Sequence, residues 1–272
     1  MVNEAKLSIG RVLALSGSVF AARWLAFCGL ILIAVVLAIA AVAMLFFGCT
    51  MIIEAMPGGG GGLEFNDAQS AVMTATLCIQ VVVGFSILQI GAAAVAFGTV
   101  QYFRSVTAPF GRCLGHGFAV MLPVVGAASV AALIVSLPIV GAVLLGGYVS
   151  EAFFLAGPII AFLLAVPFAV AVPAAALERA SVRSALARSL SLVRNNYFRT
   201  LGLLLLLGAI SFGAGVLLGL ASDILGDLIL LVSIAVMLAI GVFAAVVMAV
   251  TYVELRHVNE GFGAEELANL FD

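Results

Sequence analysis

Six stretches of this chain run for more than twenty residues without a single Asp, Glu, Lys or Arg: 24–53, 68–103, 113–150, 152–177, 200–222 and 228–253. A hydrocarbon core about 30 Å thick needs roughly 20 apolar residues in a helix rising 1.5 Å per residue. Each stretch is therefore long enough to cross a bilayer, and together they leave little chain for anything else. The composition agrees, because 65% of the 272 residues are hydrophobic and only 9% are charged, whereas a soluble domain carries about 25% charge. The expected fold is all-α, a polytopic membrane protein with helices near 24–48, 70–101, 118–146, 152–176, 200–221 and 228–253. The first run exceeds the 7–15 apolar residues of a signal-peptide core, so a retained span is expected there.

Basic residues beside short loops resist translocation, and acidic ones matter little. Lys6, Arg11 and Arg23 precede the first run, and Arg104 and Arg112 lie between the second and third. Arg179, Arg183, Arg188, Arg194 and Arg199 lie between the fourth and fifth, and Arg256 follows the sixth. All eleven bases thus fall on one side, while Glu54, Glu64, Asp67, Glu151, Asp223 and Asp227 fall on the other. Both termini are expected in the cytoplasm. A net charge of −2 gives no basic excess for nucleic acid.

The chain repeats itself. Residues 8–30 lie over 181–203 without a gap, matching Ser8 with Ser181, Leu13 with Leu186, Ser16 with Ser189, Trp24 with Tyr197 and Gly29 with Gly202. A looser third copy begins near Pro109, with Leu114 in the place of Leu13. The expected architecture is three hairpins, each preceded by a cytoplasmic amphipathic segment, in units of about 1–102, 103–177 and 178–253 with a tail at 254–272, all forming one membrane domain. In the third unit Val182, Leu186, Leu190, Val193 and Tyr197 recur at helical spacing, with Arg183, Arg188 and Arg194 mostly off that stripe. A helix of this kind lies in the membrane interface. Arg179, Arg183, Arg188, Arg194 and Arg199 are accordingly the expected contacts for anionic lipid.

Residues 183–207, the opening LSIGRVLALSGSVF at 7–20 and the tail TYVELRHVNEGFGAEELANLFD at 251–272 carry a resemblance. The chain resembles bacterial membrane proteins similar to the membrane domain fused to some glycerophosphodiester phosphodiesterases. The resemblance implies a six-span protein of the bacterial inner membrane with no assigned chemistry. Nothing in this chain corresponds to the soluble catalytic barrel of those enzymes, so phosphodiesterase activity does not carry over.

An ionisable residue inside a membrane is a functional-site hypothesis by default, and the six runs contain none. Without a His, Lys or acid at span depth, no intramembrane serine has an activating base. The four cysteines, Cys28, Cys49, Cys78 and Cys113, show no metal-ligand spacing and no disulfide framework. No catalytic residue, metal or cofactor is expected. Gln80 and Gln89 are expected to make interhelical hydrogen bonds. Pro123, Pro138, Pro158, Pro167 and Pro173 crowd the middle hairpin, where each should free a carbonyl and bend its helix around a groove. Gly215 and Gly219 suit close helix packing, within the bundle or against another protomer. The tail should continue the sixth helix to about Asn259, break at Gly261 and resume as a short helix over 264–271.

The leading expectation is a non-enzymatic inner-membrane protein that contacts lipid as an accessory or scaffold. Its partners would be membrane lipids, a second copy of the chain or another membrane protein. The competing expectation is a transporter or exporter of an apolar or amphiphilic solute, working through the proline-bent middle hairpin.

Overall fold

In the computed structural model, residues 7–55, 67–104, 106, 109–146 and 152–261 are described. Their regular elements are all helical: α1 (Ile9–Ala55), α2 (Asp67–Phe103), α3 (Phe110–Ala119), α4 (Met121–Gly146), α5 (Ala152–Ala165), α6 (Ala171–Glu178), α7 (Val182–Arg194), α8 (Tyr197–Leu225) and α9 (Ile229–Glu260). Two single 3-10 turns, Val166–Phe168 and Gly226–Leu228, precede α6 and α9. Six helical stretches are long and apolar enough to cross a membrane: Ile9–Ala55, Ala75–Phe103, Met121–Ala142, Leu155–Glu178, Tyr197–Ser222 and Ile229–Glu260. The expected tail helix over 264–271, the glycine run at 58–62 and the Cys78 side chain lie outside the described residues.

The core gathers at the end of the bundle where Leu7 and Gly261 lie. Val12, Val19, Phe27 and Leu30 of α1 meet Val95 of α2, Val170 and Ala174 of the fourth span, and Val246, Val250 and Tyr252 of α9. A smaller cluster of Ala93, Val124, Ala127, Ala175 and Ala185 joins α2, α4, α6 and α7. Toward the other end the helices turn leucine, isoleucine and phenylalanine outward, as surfaces facing lipid tails should. The pairing is uneven: α1 packs along α2 and α4 along α5, whereas α9 leans on α1 and α2 and touches α8 only lightly.

The repeat has a structural counterpart that its residues do not advertise. α1 is one 47-residue helix with a single non-helical residue, Arg23, at φ −135° and ψ 17°. The matching position, 173 residues on, is Asn196, which separates α7 from α8 at φ −124° and ψ 23°. Val12, Ser16 and Val19 are buried before the first break, and Ala185, Ser189 and Leu192 before the second, again 173 apart. In the middle unit the break falls at Val120, φ −103° and ψ 13°. Cys113 stands seven residues before this break, as Ser16 and Ser189 do before theirs. The third copy is thus shifted by one turn from the register that sets Leu114 on Leu13.

The prolines divide into two groups. Pro123 and Pro173 occupy the third positions of α4 and α6, where a missing N–H falls among first-turn donors that have no partner inside a helix. Pro138 and Pro158 lie inside α4 and α5. Pro167 is the middle residue of the 3-10 turn that interrupts the fourth span. The fourth span is thus interrupted at Val166–Phe168, while α4 runs from Met121 to Gly146 with Pro138 inside it.

Candidate functional site: a polar belt at the terminal end of the bundle

α6 ends on Glu178 because Arg179 adopts a left-handed conformation, φ 47° and ψ 34°, which reverses the chain into α7. Ser181 caps α7 by accepting from the Ser184 backbone N–H, and the turn carries Arg188 back over Glu178. The Arg188 Nε donates to Glu178 Oε1 at 3.1 Å. Its terminal nitrogen meets Glu260 Oε1. On α9, Arg256 donates to Glu260 Oε2 at 3.0 Å and lies 3.5 Å from Glu178 Oε1, and the Tyr252 hydroxyl donates to the same Glu178 oxygen. Two carboxylates and two guanidinium groups therefore close a neutral ring across α6, α7 and α9. Burial works against the charge on Arg188, but the two carboxylates more than offset it and hold its pKa above the ordinary guanidinium value. Asn259 completes the seam, donating to the Leu192 carbonyl of α7 at 3.1 Å.

The belt extends to the other units. The Leu7 N–H donates to Asn196 Oδ1 at 3.2 Å, and Arg199 donates to the Leu7 carbonyl, so Leu7 is clamped to the α7–α8 break. Arg11 pairs with Glu254 of α9 at 3.2 Å. In α3, His116 stacks on Phe97 of α2 with centroids 4.1 Å apart, and its Nε2 lies 2.9 Å from the Ala176 carbonyl of α6. That contact requires the proton on Nε2, because a carbonyl only accepts. Burial pushes the His116 pKa down, the Ala176 carbonyl pulls it up, and nearby Arg179 pushes it down again. The neighbouring thiol of Cys113 is pushed up by burial, with Arg23 and Arg112 acting the other way.

The carbonyls freed by the break in the fourth span are also taken. Pro167 offers no N–H to Leu163, four residues back, and the Tyr197 hydroxyl donates to that carbonyl at 2.9 Å. The buried Ser189 hydroxyl donates to the Pro167 carbonyl at 2.7 Å. Ser16, its counterpart in the repeat, is equally buried, but its hydroxyl finds no partner among the described residues. Around Pro138 the middle hairpin is close-packed: a Cβ on Gly157 would stand 2.3 Å from Ala142 Cβ and 2.9 Å from the Pro138 carbonyl.

The five arginines expected to meet lipid therefore differ in situation. Arg188 is held by two carboxylates and Arg199 by the Leu7 carbonyl, whereas Arg179, Arg183 and Arg194 are exposed. Gly215 and Gly219 lie on α8, and no heavy atom of the described residues stands within 4 Å of where their Cβ atoms would be. The ring of Glu178, Arg188, Arg256 and Glu260 was not anticipated from the sequence. The one sequence signal for it is that Glu178, Glu254 and Glu260 stand among the segments that carry the arginines. Among the described residues no three His, Cys, Asp or Glu side chains come together in a way that could hold a metal ion. No family model matches the chain, and no curated protein or solved structure matches it.

Proposed function

We propose that this chain is an accessory or scaffold protein of the bacterial inner membrane, both termini cytoplasmic, that gathers anionic lipid against α7. The observation that carries this reading is the two-sidedness of α7. Ala185, Ser189, Leu192 and Val193 face the bundle, Arg188 locks the helix to α6 and α9, and Arg183 and Arg194 project outward. The helix connects the ends of two spans, which sets it at headgroup level. Arg179 adds to the same surface from a left-handed backbone position that disfavours any residue with a Cβ. A basic side chain near an anionic leaflet is worth about 1 kcal/mol, so three together favour anionic over neutral lipid by about 3 kcal/mol, or roughly 100-fold.

The test is lipid retention by the purified chain, read by native mass spectrometry after extraction from mixed phosphatidylglycerol and phosphatidylcholine. Replacing Arg179, Arg183 and Arg194 together with Gln should remove most of the phosphatidylglycerol preference while leaving the fold intact. An unchanged lipid ratio would exclude the proposal.

A further inference from the structure

A second feature lies at the opposite end of the molecule and does not depend on the arginines. Between α1 and α2 a groove of about 400 Å³ is lined by Ala38, Val42, Phe46 and Phe47 of α1 and by Gln80, Gly84 and Leu88 of α2. Its walls are apolar except for Gln80. That side chain is 7% exposed, and its Nε2 has no hydrogen-bond partner among the described residues. An interhelical bond, the ordinary use of a glutamine in a span, is thus not what this amide nitrogen makes. A buried donor left without an acceptor is costly, and in hydrocarbon no water is at hand to serve it.

Depth identifies the acceptor. The charge-free run of α1, 24–53, has its midpoint at about position 38, and the close approaches of Gly84 to Val42 and of Gly91 to Ala34 set that level at about position 87 of α2. Gln80 stands seven residues away, about 10 Å at 1.5 Å per residue. Half of a hydrocarbon core is about 15 Å, which puts the amide in the outer part of the leaflet, close under the level of the ester carbonyls. From there the groove descends to Leu88 and Ala38 near the midplane, about 12 Å lower. Ile39, Phe46 and Phe47 on its rim are exposed, so it opens sideways to lipid. A helix with side chains is about 10–12 Å across, too wide for a slot whose floor is Gly84 against Val42, where even an added Cβ would lie 3.2 Å from Val42 Cγ2. A single hydrocarbon chain suits it.

We propose that the α1–α2 groove holds one acyl chain of a membrane diacyl glycerolipid, with Gln80 Nε2 donating to that chain's ester carbonyl.

The experiment uses the full chain in nanodiscs containing a trace of diester phosphatidylglycerol with a diazirine on one acyl chain. Adducts are mapped after photolysis, and unlabelled diester and diether lipids of equal chain length compete. Adducts are expected on 38–47 and 80–88, and the diester should compete about 2- to 10-fold better than the diether, as one neutral hydrogen bond predicts. Gln80→Leu should abolish that preference and raise the thermal midpoint in diether discs, where the wild-type amide has no acceptor. Ala43→Trp, which fills the groove from its wall, should suppress the adducts from both lipids while the chain stays folded by circular dichroism. Equal competition in the wild type, a preference that survives Gln80→Leu, or adducts that survive Ala43→Trp would each overturn the proposal. Chain-to-chain cross-links in place of lipid adducts would assign the groove to a second copy and overturn it as well.

Discussion

Replacing Arg188 with Gln removes one charge from a ring that is otherwise neutral. Arg188 contacts Glu178 at 3.1 Å and also Glu260, and without it two carboxylates share the single guanidinium of Arg256. Breaking a fully buried pair costs about 3–5 kcal/mol, and breaking an exposed one costs about 0–1. The side chains here are 28%, 23% and 19% exposed for Arg188, Glu178 and Glu260, with Arg256 at 7%, which places the cost nearer the buried limit but discounted by solvent, at about 2–3 kcal/mol. Glu260→Gln alone leaves the ring with a surplus positive charge and should cost about 1–2 kcal/mol. The double variant restores neutrality, so its cost should fall short of the sum by about 1–2 kcal/mol, the coupling seen for residues in one network. Arg183→Gln and Arg194→Gln should stay within about 0.5 kcal/mol of wild type. Arg11→Gln should cost less than about 1 kcal/mol, because the Arg11 side chain is 61% exposed although its partner Glu254 is buried. Unfolding by sodium dodecyl sulfate in mixed micelles reads these differences. An Arg188→Gln protein as stable as wild type, or strictly additive effects of the two substitutions, would refute the view that the ring holds α6, α7 and α9 together.

Three further outcomes follow from the same geometry. Ser189→Ala leaves the Pro167 carbonyl without its donor in a buried site and should cost about 1–2 kcal/mol in the same unfolding assay, whereas Ser191→Ala, whose hydroxyl bonds only its own helix on the exposed face, should change little. His116 has its pKa lowered by burial, so the unfolded chain takes up a proton before the folded one does. Stability should therefore fall as the pH drops through the ordinary histidine range near 6.5 toward the depressed value, and His116→Gln, with an amide donor and no titration, should flatten that part of the pH profile. Gly157→Ala puts a methyl 2.3 Å from Ala142 Cβ and should lower stability by about 1–3 kcal/mol, with partial rescue by Ala142→Gly, since the Pro138 carbonyl at 2.9 Å still crowds the site.

The spans were legible because they are defined by what they exclude, and a charge-free run of 23 or more residues has few other uses. The end of the sixth helix was legible too: α9 stops at Glu260 with Gly261 at φ 73°, where a glycine meets no steric cost. The breaks at the head of three of the spans were not. Arg23, Val120 and Asn196 include no glycine or proline; Asn195 and Asn196 favour helix ends, but local propensity gives no reason for a helix to pause at Arg23 or Val120. Only the offset of 173 residues, read together with the dihedral angles, shows that two of the three pauses are one feature used twice.

The belt escaped for a different reason. Glu178 and Tyr252 are 74 residues apart and Leu7 and Arg199 are 192 apart, so no window along the chain contains both members of either contact. The topology rule that orients the chain also hides them, because it accounts for every arginine by side of the membrane and gives acids almost no weight. Yet acids on the basic side change what the bases do. Glu178 and Glu260 take up Arg188, Glu254 takes up Arg11, and Asn196 with Arg199 fixes Leu7. What remains exposed of the cluster between the fourth and fifth spans is Arg179, Arg183 and Arg194. A lipid-binding variant series built on all five arginines would mix loss of fold with loss of lipid, and only the three outward ones separate the two.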